Sequence, residues 1–543
     1  MRAPDATGPW RKGSDPPLIT SQDYVRPASA VGDTRALCGC TLLDAAAAVA
    51  RRSPDRVALV DGTEHLRWVD LLDRAARLAC ALRDAGVGKG EPVGIQMPNG
   101  WEFAAAHLAL AQLGAVTATV HTPYGPAERT RLLEQIAAAH LITLAPQADG
   151  SRLPVLVDRS GDAVQTLWPP TSQVSLPASQ AAPCDPLSIF FTSGTESPQP
   201  KVCLHSHDGL VSNALWVASD APIAPDDVIL SGSAFTHLFG TLALHLSLVT
   251  GARQVALDRF DALRFLQISA REGVTVAFLV PAHLVDLLRS VRETGVPAGL
   301  RLREIRVAGA HVPPGLVEEV RAELGASVVV HWGMSELGGG IYTHYLDPIE
   351  VAAGTIGQPT HGSAALIVDD DFRPVQAPGE VGELLFRGPS LFQGYYGASD
   401  VTRAAYIEVD GVHWLRTGDL AAWAEGGRIA YRGRKKDLIN RGGMKVSAQE
   451  VESVVARMPG VLAAALVAEP DARLGERGCL FLRIEPGSRI ALEQVQTHLA
   501  VERLARFKWP ERVVVVDELP LTATGKVAKG TLRQWMYDRA PTA

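Results

Sequence analysis

The chain is short of cysteine, with six in 543 residues: Cys38, Cys40, Cys80, Cys184, Cys203 and Cys479. Only Cys38 and Cys40 stand close together, and no second pair matches them. That spacing argues against a zinc site and suits reduced thiols in a cytoplasm. A basic excess is missing as well, since the formal net charge is −7. A nucleic-acid scaffold needs a broad basic face, so that class is excluded, whereas a nucleotide pocket needs only a few local cations. Long apolar runs are absent. The longest, near Ala104 to Val120, is interrupted by His107, Gln112 and Gly114 and is too short for a membrane span. Met1 to Pro17 has no apolar core of signal-peptide type. No repeat of solenoid period occurs. The expectation is a cytoplasmic protein with no nucleic-acid partner and no membrane span, as a monomer or a homodimer.

What is present fits a soluble globular chain, with 47% hydrophobic and 20% charged residues. The length allows a large core plus at least one smaller unit. Asp70 to Ala85 reads as a helix, with apolar residues at Leu71, Leu72, Ala75, Leu78, Ala79 and Leu82 and a stop at Gly86. The Ala-rich stretch Ala45 to Ala50 also reads as helix. Strand-like runs stand at Pro92 to Met97, Leu141 to Leu144, Leu187 to Phe191, Val274 to Val280 and Val328 to His331. Strands interleaved with helices predict an α/β fold with largely parallel sheets. Later strands, such as Arg428 to Arg432 and Val513 to Val516, are short and bounded by turns. A domain boundary is expected in the charged run Arg434 to Asp437, giving residues 1–434 and a small α+β unit of 435–543.

Chemistry concentrates in a few segments. Phe191-Thr192-Ser193-Gly194-Thr195 runs from a strand into a polar loop that ends at Lys201. Hydroxyls and backbone N–H groups there can donate to phosphate oxygens, and Lys201 supplies a point charge. Read alone, this is as often an ordinary polar loop. It does not stand alone. The loop resembles the phosphate loop of the adenylate-forming superfamily, which includes acyl-CoA ligases, peptide-synthetase adenylation domains and luciferases. Trp332-Gly333-Met334-Ser335-Glu336 resembles that family's YGxTE segment, and Trp414 to Leu420 resembles YRTGDL. Gly433 to Asp437, followed by Gly443, Val446 and Glu450 to Glu452, is similar to the hinge and the segment after it. Pro520 to Lys526 is similar to the C-terminal PxxxxGK.

The resemblance implies a large adenylate- and acyl-binding domain and a small mobile one that rotates about Lys436 between half-reactions. It implies that Glu336 holds Mg²⁺ and that Ser335 donates to the α-phosphate of ATP or acyl-AMP. Trp332 would cover the adenine, with Gly309, Ala310 and His311 on its other side. Asp419 would accept from the ribose hydroxyls, and Arg434 would reach the same sugar. Lys526 would neutralise charge while carboxylate attacks the α-phosphate. Gly443 would line the channel for the CoA thiol after rotation, where glycine lets the pantetheine arm pass. His237, within Phe235 to Gly240, matches a position beside the acyl pocket and thiol path. His207 fits a second position of less clear duty, and the residues expected around the acyl pocket are His207, Phe235, His237, Gly338 and Gly339.

The phosphate loop departs from the family pattern. Six residues separate Gly194 from Lys201, where TSGTTGxPK has five, and Glu196 and Ser197 stand where threonine and glycine are usual. A carboxylate ~4 Å from a phosphate charge is repelled by roughly 4 kcal/mol at an effective dielectric near 20. The altered residues grip the β- and γ-phosphates, which an acyl-adenylate lacks. The expectation is an acyl-CoA ligase that forms its thioester through an acyl-adenylate; the altered loop also allows a reading in which the ATP-dependent half is weak or lost and a separate adenylating enzyme supplies the acyl-AMP, against which the retained Lys526 and Glu336 count.

No acid flanks His237, where an amino-acid-activating domain places an aspartate for the α-ammonium. A carboxylic acid without an α-amine is therefore favoured. Gly338-Gly339-Gly340 removes bulk from a pocket wall or, equally, forms a glycine turn. A bulky natural-product acid suits the first reading. Three other functions fit the same motifs: a stand-alone enzyme loading a carrier protein, a luciferase-like oxygenase, which is the least favoured, and a degenerate adenylate-binding protein.

Overall fold

The computed structural model describes residues 26–31, 36–146, 152–158, 163–167, 179–192, 200–471, 473–522 and 526–538. The sequence periodicity sets its elements. The helix expected at Asp70 to Ala85 spans Trp68–Asp84, with Leu71, Leu78 and Leu82 inward and Asp70 and Arg83 placed to complement the helix dipole. The Ala-rich run lies in the helix Leu42–Arg52, capped by Thr41.

Two large sheets pack around shared helices. The first has eight strands, with β1 (Val116–Thr119) parallel to β2 (Pro186–Phe191), and β2 antiparallel to β3 (Val202–Ser206). Helices α1 (His207–Asp220) and α2 (Leu238–Thr250) follow. The second sheet has nine strands, and its centre is parallel: β4 (Val276–Leu279) pairs β5 (Glu304–Val307), which pairs β6 (Ser327–Met334). The antiparallel strand β7 (Gly338–Tyr342) then returns along β6. Nearly every residue of α2 and of the helix Trp101–Leu113 is buried, as expected of helices between two apolar sheet faces. The long apolar stretch noted in the sequence is therefore core, and no helix among the described residues is long and apolar enough to cross a membrane.

A smaller antiparallel sheet carries β8 (Val412–Ala424) against β9 (Arg428–Arg434). Beyond it, a five-stranded sheet between Leu438 and Val515 packs against α3 (Ala448–Val455), Leu492–Val501 and Lys529–Asp538, with its own apolar core around Val451, Leu480 and Leu499. The expected mixed α/β architecture, large N-terminal part and small C-terminal part, is what is observed.

Two expectations change. The run Gly338–Gly340 is neither turn nor loop but the start of strand β7. Strand β6 also runs past His331 to Met334, because the β7 hairpin extends it. Gly333 permits this close return: a Cβ there would lie 1.9 Å from the Gly338 carbonyl oxygen.

Candidate active site

Trp332, near the carboxyl end of β6, meets the middle of β8 at Asp419, and ligands of open α/β sheets usually bind beyond the carboxyl ends of their strands. Asp419, on β8, is buried and pairs in register with Arg434 on β9. Arg434 Nε lies 3.0 Å from Asp419 Oδ1, and Trp332 Nε1 donates to Oδ2 at 2.7 Å. The Asp419 amide donates to Thr417 Oγ1 at 3.1 Å. Burial pushes the Asp419 carboxyl above the usual carboxylate range, and Arg434, the Trp332 N–H, Lys526 and Lys436 oppose that push. The result is a held, oriented acceptor.

Lys526 comes to the same place from the far end of the chain. Burial, with Arg434 and Lys436, lowers its ammonium to about 8, while Asp419 and Glu336 pull it back up. Its backbone N–H donates to Thr522 Oγ1 at 3.2 Å. Lys526, Asp419, Arg434, Glu336 and Lys436 thus form one electrostatic cluster. Lys436 sits in the turn Lys435–Asp437 that joins the two parts.

Glu336 follows β6 in the hairpin turn and is buried. Its Oε1 accepts from the Tyr395 hydroxyl at 2.7 Å, and the Lys201 ammonium lies 4.8 Å from the Tyr395 ring centroid. Thr192 and Lys201 clamp the base of the phosphate loop: the Lys201 N–H donates to Thr192 Oγ1 at 3.0 Å, and the Thr192 N–H to the Lys201 carbonyl at 2.9 Å. Ser193, Gly194, Thr195 and Glu196 lie outside the described residues. Among the described residues, Glu336 belongs to no group of three or more metal-ligating side chains. A single carboxylate beside a lysine fits Mg²⁺ held mainly by nucleotide phosphates and water, not an all-protein cage.

Next to Glu336, the Ser335 carbonyl accepts from His205 Nε2 at 2.7 Å, and Met334 is half-buried. Gly309 and Ala310 follow β5, Gly309 with a φ of 93°. His311 Nε2 lies 3.3 Å from Ser453 Oγ on α3, one of the contacts joining the C-terminal part to the large one.

His237 caps α2. Its Nδ1 accepts from the Phe239 N–H at 3.3 Å, which leaves the imidazole hydrogen on Nε2. Burial, His121 and Lys526 lower its protonation to about 3. A group that neutral is a poor proton acceptor from a thiol. It can form a wall and donate a hydrogen bond. His121 stacks beside it at 6.1 Å and bonds Thr236 Oγ1 at 2.9 Å.

Several expected positions receive other partners. Phe235 turns inward, its N–H on Asn99 Oδ1 at 2.6 Å and its ring 5.6 Å from Phe103, so it is core. His207 is fully buried at the start of α1 and accepts from the Leu42 N–H at 3.3 Å, beneath the helix Leu42–Arg52. Trp332, expected to cover the adenine, turns its indole edge to Asp419 and orients it. Gly338 and Gly339 do line a tight space: a Cβ on Gly338 would lie 2.9 Å from Asn213 Oδ1, and one on Gly339 3.1 Å from Leu242 Cδ2. Gly443 is exposed in the hairpin turn before Met444, with a φ of 86°, while Lys526 sits in the cluster. Sequence reasoning missed Tyr395, His205, His121 and Asn213. None of these carries a local signal, because each is placed by a contact between distant segments.

Comparisons with known proteins show the family and the fold. A family model for AMP-binding enzymes matches residues 46–396, and one for the AMP-binding enzyme C-terminal domain matches 450–526. A salicylyl-CoA synthase / salicylate adenylyltransferase of Streptomyces sp is 34% identical over 90% of this chain and 92% of its own. A 2-hydroxy-7-methoxy-5-methyl-1-naphthoate–CoA ligase of Streptomyces carzinostaticus is 31% identical over 90% and 91%. The solved O-succinylbenzoate coenzyme A synthetase (MenE) of Bacillus subtilis, in complex with AMP, superposes with a TM-score of 0.79 at 25% identity, covering 90% of this chain and 98% of that one.

Proposed function

We propose, from the premise that this chain belongs to the AMP-binding enzyme family and is an adenylate-forming enzyme of the acyl-CoA synthetase type, that it joins an aromatic or similarly bulky carboxylic acid to coenzyme A. The observation that carries this reading is the electrostatic coupling of Lys526 to the Asp419–Arg434 pair and to Glu336. In the first half-reaction the substrate carboxylate attacks the α-phosphorus of ATP and pyrophosphate leaves, giving acyl-AMP. Lys526 offsets the negative charge that builds there. Asp419 holds the ribose, and Arg434 fixes Asp419. Bound Mg²⁺ would neutralise phosphate charge, with Glu336 as its protein ligand.

In the second half-reaction the CoA thiol attacks the acyl carbonyl and AMP leaves. For that step residues 435–543 rotate about Lys436, Lys526 withdraws and Gly443 comes in. One tie holding the present arrangement suits such a motion. Lys445 Nζ reaches Asp370 at 2.7 Å, but both side chains are more than half exposed. Exposed pairs of this kind contribute about 0–1 kcal/mol. Asp370→Asn should therefore change each half-reaction less than about fivefold, as steady-state assays of the two halves would show. A change of a hundredfold would make this tie a lock.

The substrate class rests on two supports. Phe235, Thr236, Leu238 and Phe239 around His237 include no carboxylate for an α-ammonium. The names of the two Streptomyces relatives carry aromatic hydroxy acids. A second reading, in which ATP-dependent adenylation is lost, has the residues Glu196 and Ser197 in its favour and the seated Lys526 against it. Supplying free acid, ATP and CoA, then synthetic acyl-AMP and CoA, separates the two. The expected result is acyl-CoA from both, with the ATP-dependent route slower. Thioester from acyl-AMP alone would establish the second reading, and thioester from neither would leave an adenylate-binding protein.

A further inference from the structure

Cys38, Gly39 and Cys40 form a short segment in front of the helix Leu42–Arg52, laid against the start of α1. The Cys38 N–H donates to Ser212 Oγ at 2.9 Å and the Gly39 N–H to Asp208 Oδ1 at 3.0 Å, so α1 fixes the backbone at two points. Gly39 takes a φ of 64°, which glycine adopts without strain. The two thiols touch: the Cys40 S–H donates to Cys38 Sγ at 3.1 Å, and the Cys38 S–H donates to Asp208 Oδ1 at 3.3 Å. Both cysteines are free and half-buried, within reach of a small solute. The hydrogen bond from Cys40 brings the Cys38 thiol below the usual thiol range against its burial and Asp208, and it drives Cys40 the other way. Elsewhere burial pushes the Cys203 thiol well up and Cys479 to about 12, so neither supplies a thiolate at neutral pH. Among the described residues the pair belongs to no group of three or more metal-ligating side chains. One sulfur favoured as thiolate, with a second thiol in contact with it, is the arrangement that thiol–disulfide exchange requires.

We infer that Cys38 and Cys40 are a reversible modification site, closing to an intrachain disulfide by exchange with a low-molecular-weight disulfide such as that of glutathione. In the first step the Cys38 thiolate attacks one sulfur of the small disulfide. A bond forms from Cys38 Sγ to that sulfur, the small disulfide's own S–S bond breaks, and one thiolate leaves. In the second step the Cys40 sulfur attacks Cys38 Sγ, the mixed disulfide breaks, and the second small thiolate leaves. The two protons of the protein thiols end on the two small thiols. The protein pair is thereby oxidised and the small disulfide reduced, by the same two electrons. Only Gly39 separates the joined residues, so the bond closes a minimal loop and adds little to the stability of the fold. A partly exposed disulfide of that kind is readily reduced again by excess thiol. The site is independent of the ligase reading and stands whether or not that reading does.

The test exposes the reduced full-length protein to glutathione disulfide and follows it by intact-protein and peptide mass spectrometry. The wild type should lose the two thiol hydrogens, with Cys38 joined to Cys40 inside one peptide, and dithiothreitol should restore both thiols. Cys184→Ser, which removes the exposed thiol, should behave as the wild type does. Cys40→Ser keeps the attacking thiol without the second one and should stop at a glutathione adduct on Cys38. Cys38→Ser should gain its adduct on Cys40 about tenfold more slowly, because a hydroxyl at position 40 can still donate to Cys38, whereas Cys40 faces the carboxylates of Asp44 and Asp208. A pair with a merely structural role would show no such asymmetry. A wild type that stays fully reduced, an adduct confined to Cys184, or a cross-link between Cys38 and Cys184 overturns the proposal. Equal adduct rates in the two serine variants overturn it as well, since Cys38 would then not be the attacking sulfur.

Discussion

Lys526→Ala is expected to slow acyl-adenylate formation by on the order of 1,000-fold while leaving thioester formation from synthetic acyl-AMP within about threefold. The magnitude follows from removing a preorganised charge at a phosphoryl centre, an effect of about 10²–10³ for one such group. The asymmetry follows from position, because Lys526 lies in the cluster with Asp419 and Glu336 while Gly443 is exposed elsewhere. Pyrophosphate exchange reads the first half, and acyl-CoA from acyl-AMP reads the second. Equal losses in both would place Lys526 in a structural role.

The same residue sets a pH dependence. The ammonium form is the active one, and it is populated below a value of about 8, lowered from the ordinary lysine range by burial and by Arg434. Acid-dependent kcat/KM for adenylation should therefore fall as pH rises through about 8. The thioester half should lack that limb. Bound triphosphate adds negative charge, so the corresponding fall in kcat belongs at higher pH. Lys526→Arg should remove the alkaline limb altogether, since a guanidinium stays protonated across this range.

The parts of the molecule legible in the sequence are those that periodicity or contiguous motifs encode. The helix at Trp68–Asp84 and the buried strands announced themselves through 3.6-residue and continuous apolar patterns. Asp419, Arg434, Glu336 and Lys526 were marked by short segments whose order matches the superfamily. What stayed hidden depends on chain crossings. Tyr395 reaches Glu336 because the two-residue strand Gly394–Tyr395 pairs with β3, a contact across distant segments with no local pattern. His207 and Phe235 were assigned by neighbourhood in sequence, but the direction of a helix start decides their partners. Both point into the core between α1, α2 and the helices Leu42–Arg52 and Trp101–Leu113. The indole of Trp332 shows the same limit: an aromatic residue before Gly333 reads as a base cover, and only the approach of β8 reveals its N–H on Asp419.

Asp419→Ala carries the second large effect, and it should differ in kind from the first. In the proposed reaction Asp419 would hold the AMP moiety, which both half-reactions share, so both should fall together. Two hydrogen bonds from ribose hydroxyls to a charged acceptor are worth about 1.5–3 kcal/mol each, which converts to roughly 10²–10⁴ in kcat/KM. The same change strands two groups, the Trp332 indole N–H and the Arg434 guanidinium. Arg434 is 38% exposed and can turn to water, so the stability cost should stay near 1–3 kcal/mol. Asp419→Asn keeps an acceptor oxygen for one ribose hydroxyl and should retain about tenfold more activity than alanine. Trp332→Phe, which removes only the donor that orients Asp419, should raise KM for ATP by about fivefold to tenfold with little change in kcat. Calorimetric titration with AMP separates binding from folding here: weak AMP binding by a variant that melts close to the wild type places Asp419 on the ribose, whereas unchanged AMP affinity would confine it to pairing with Arg434.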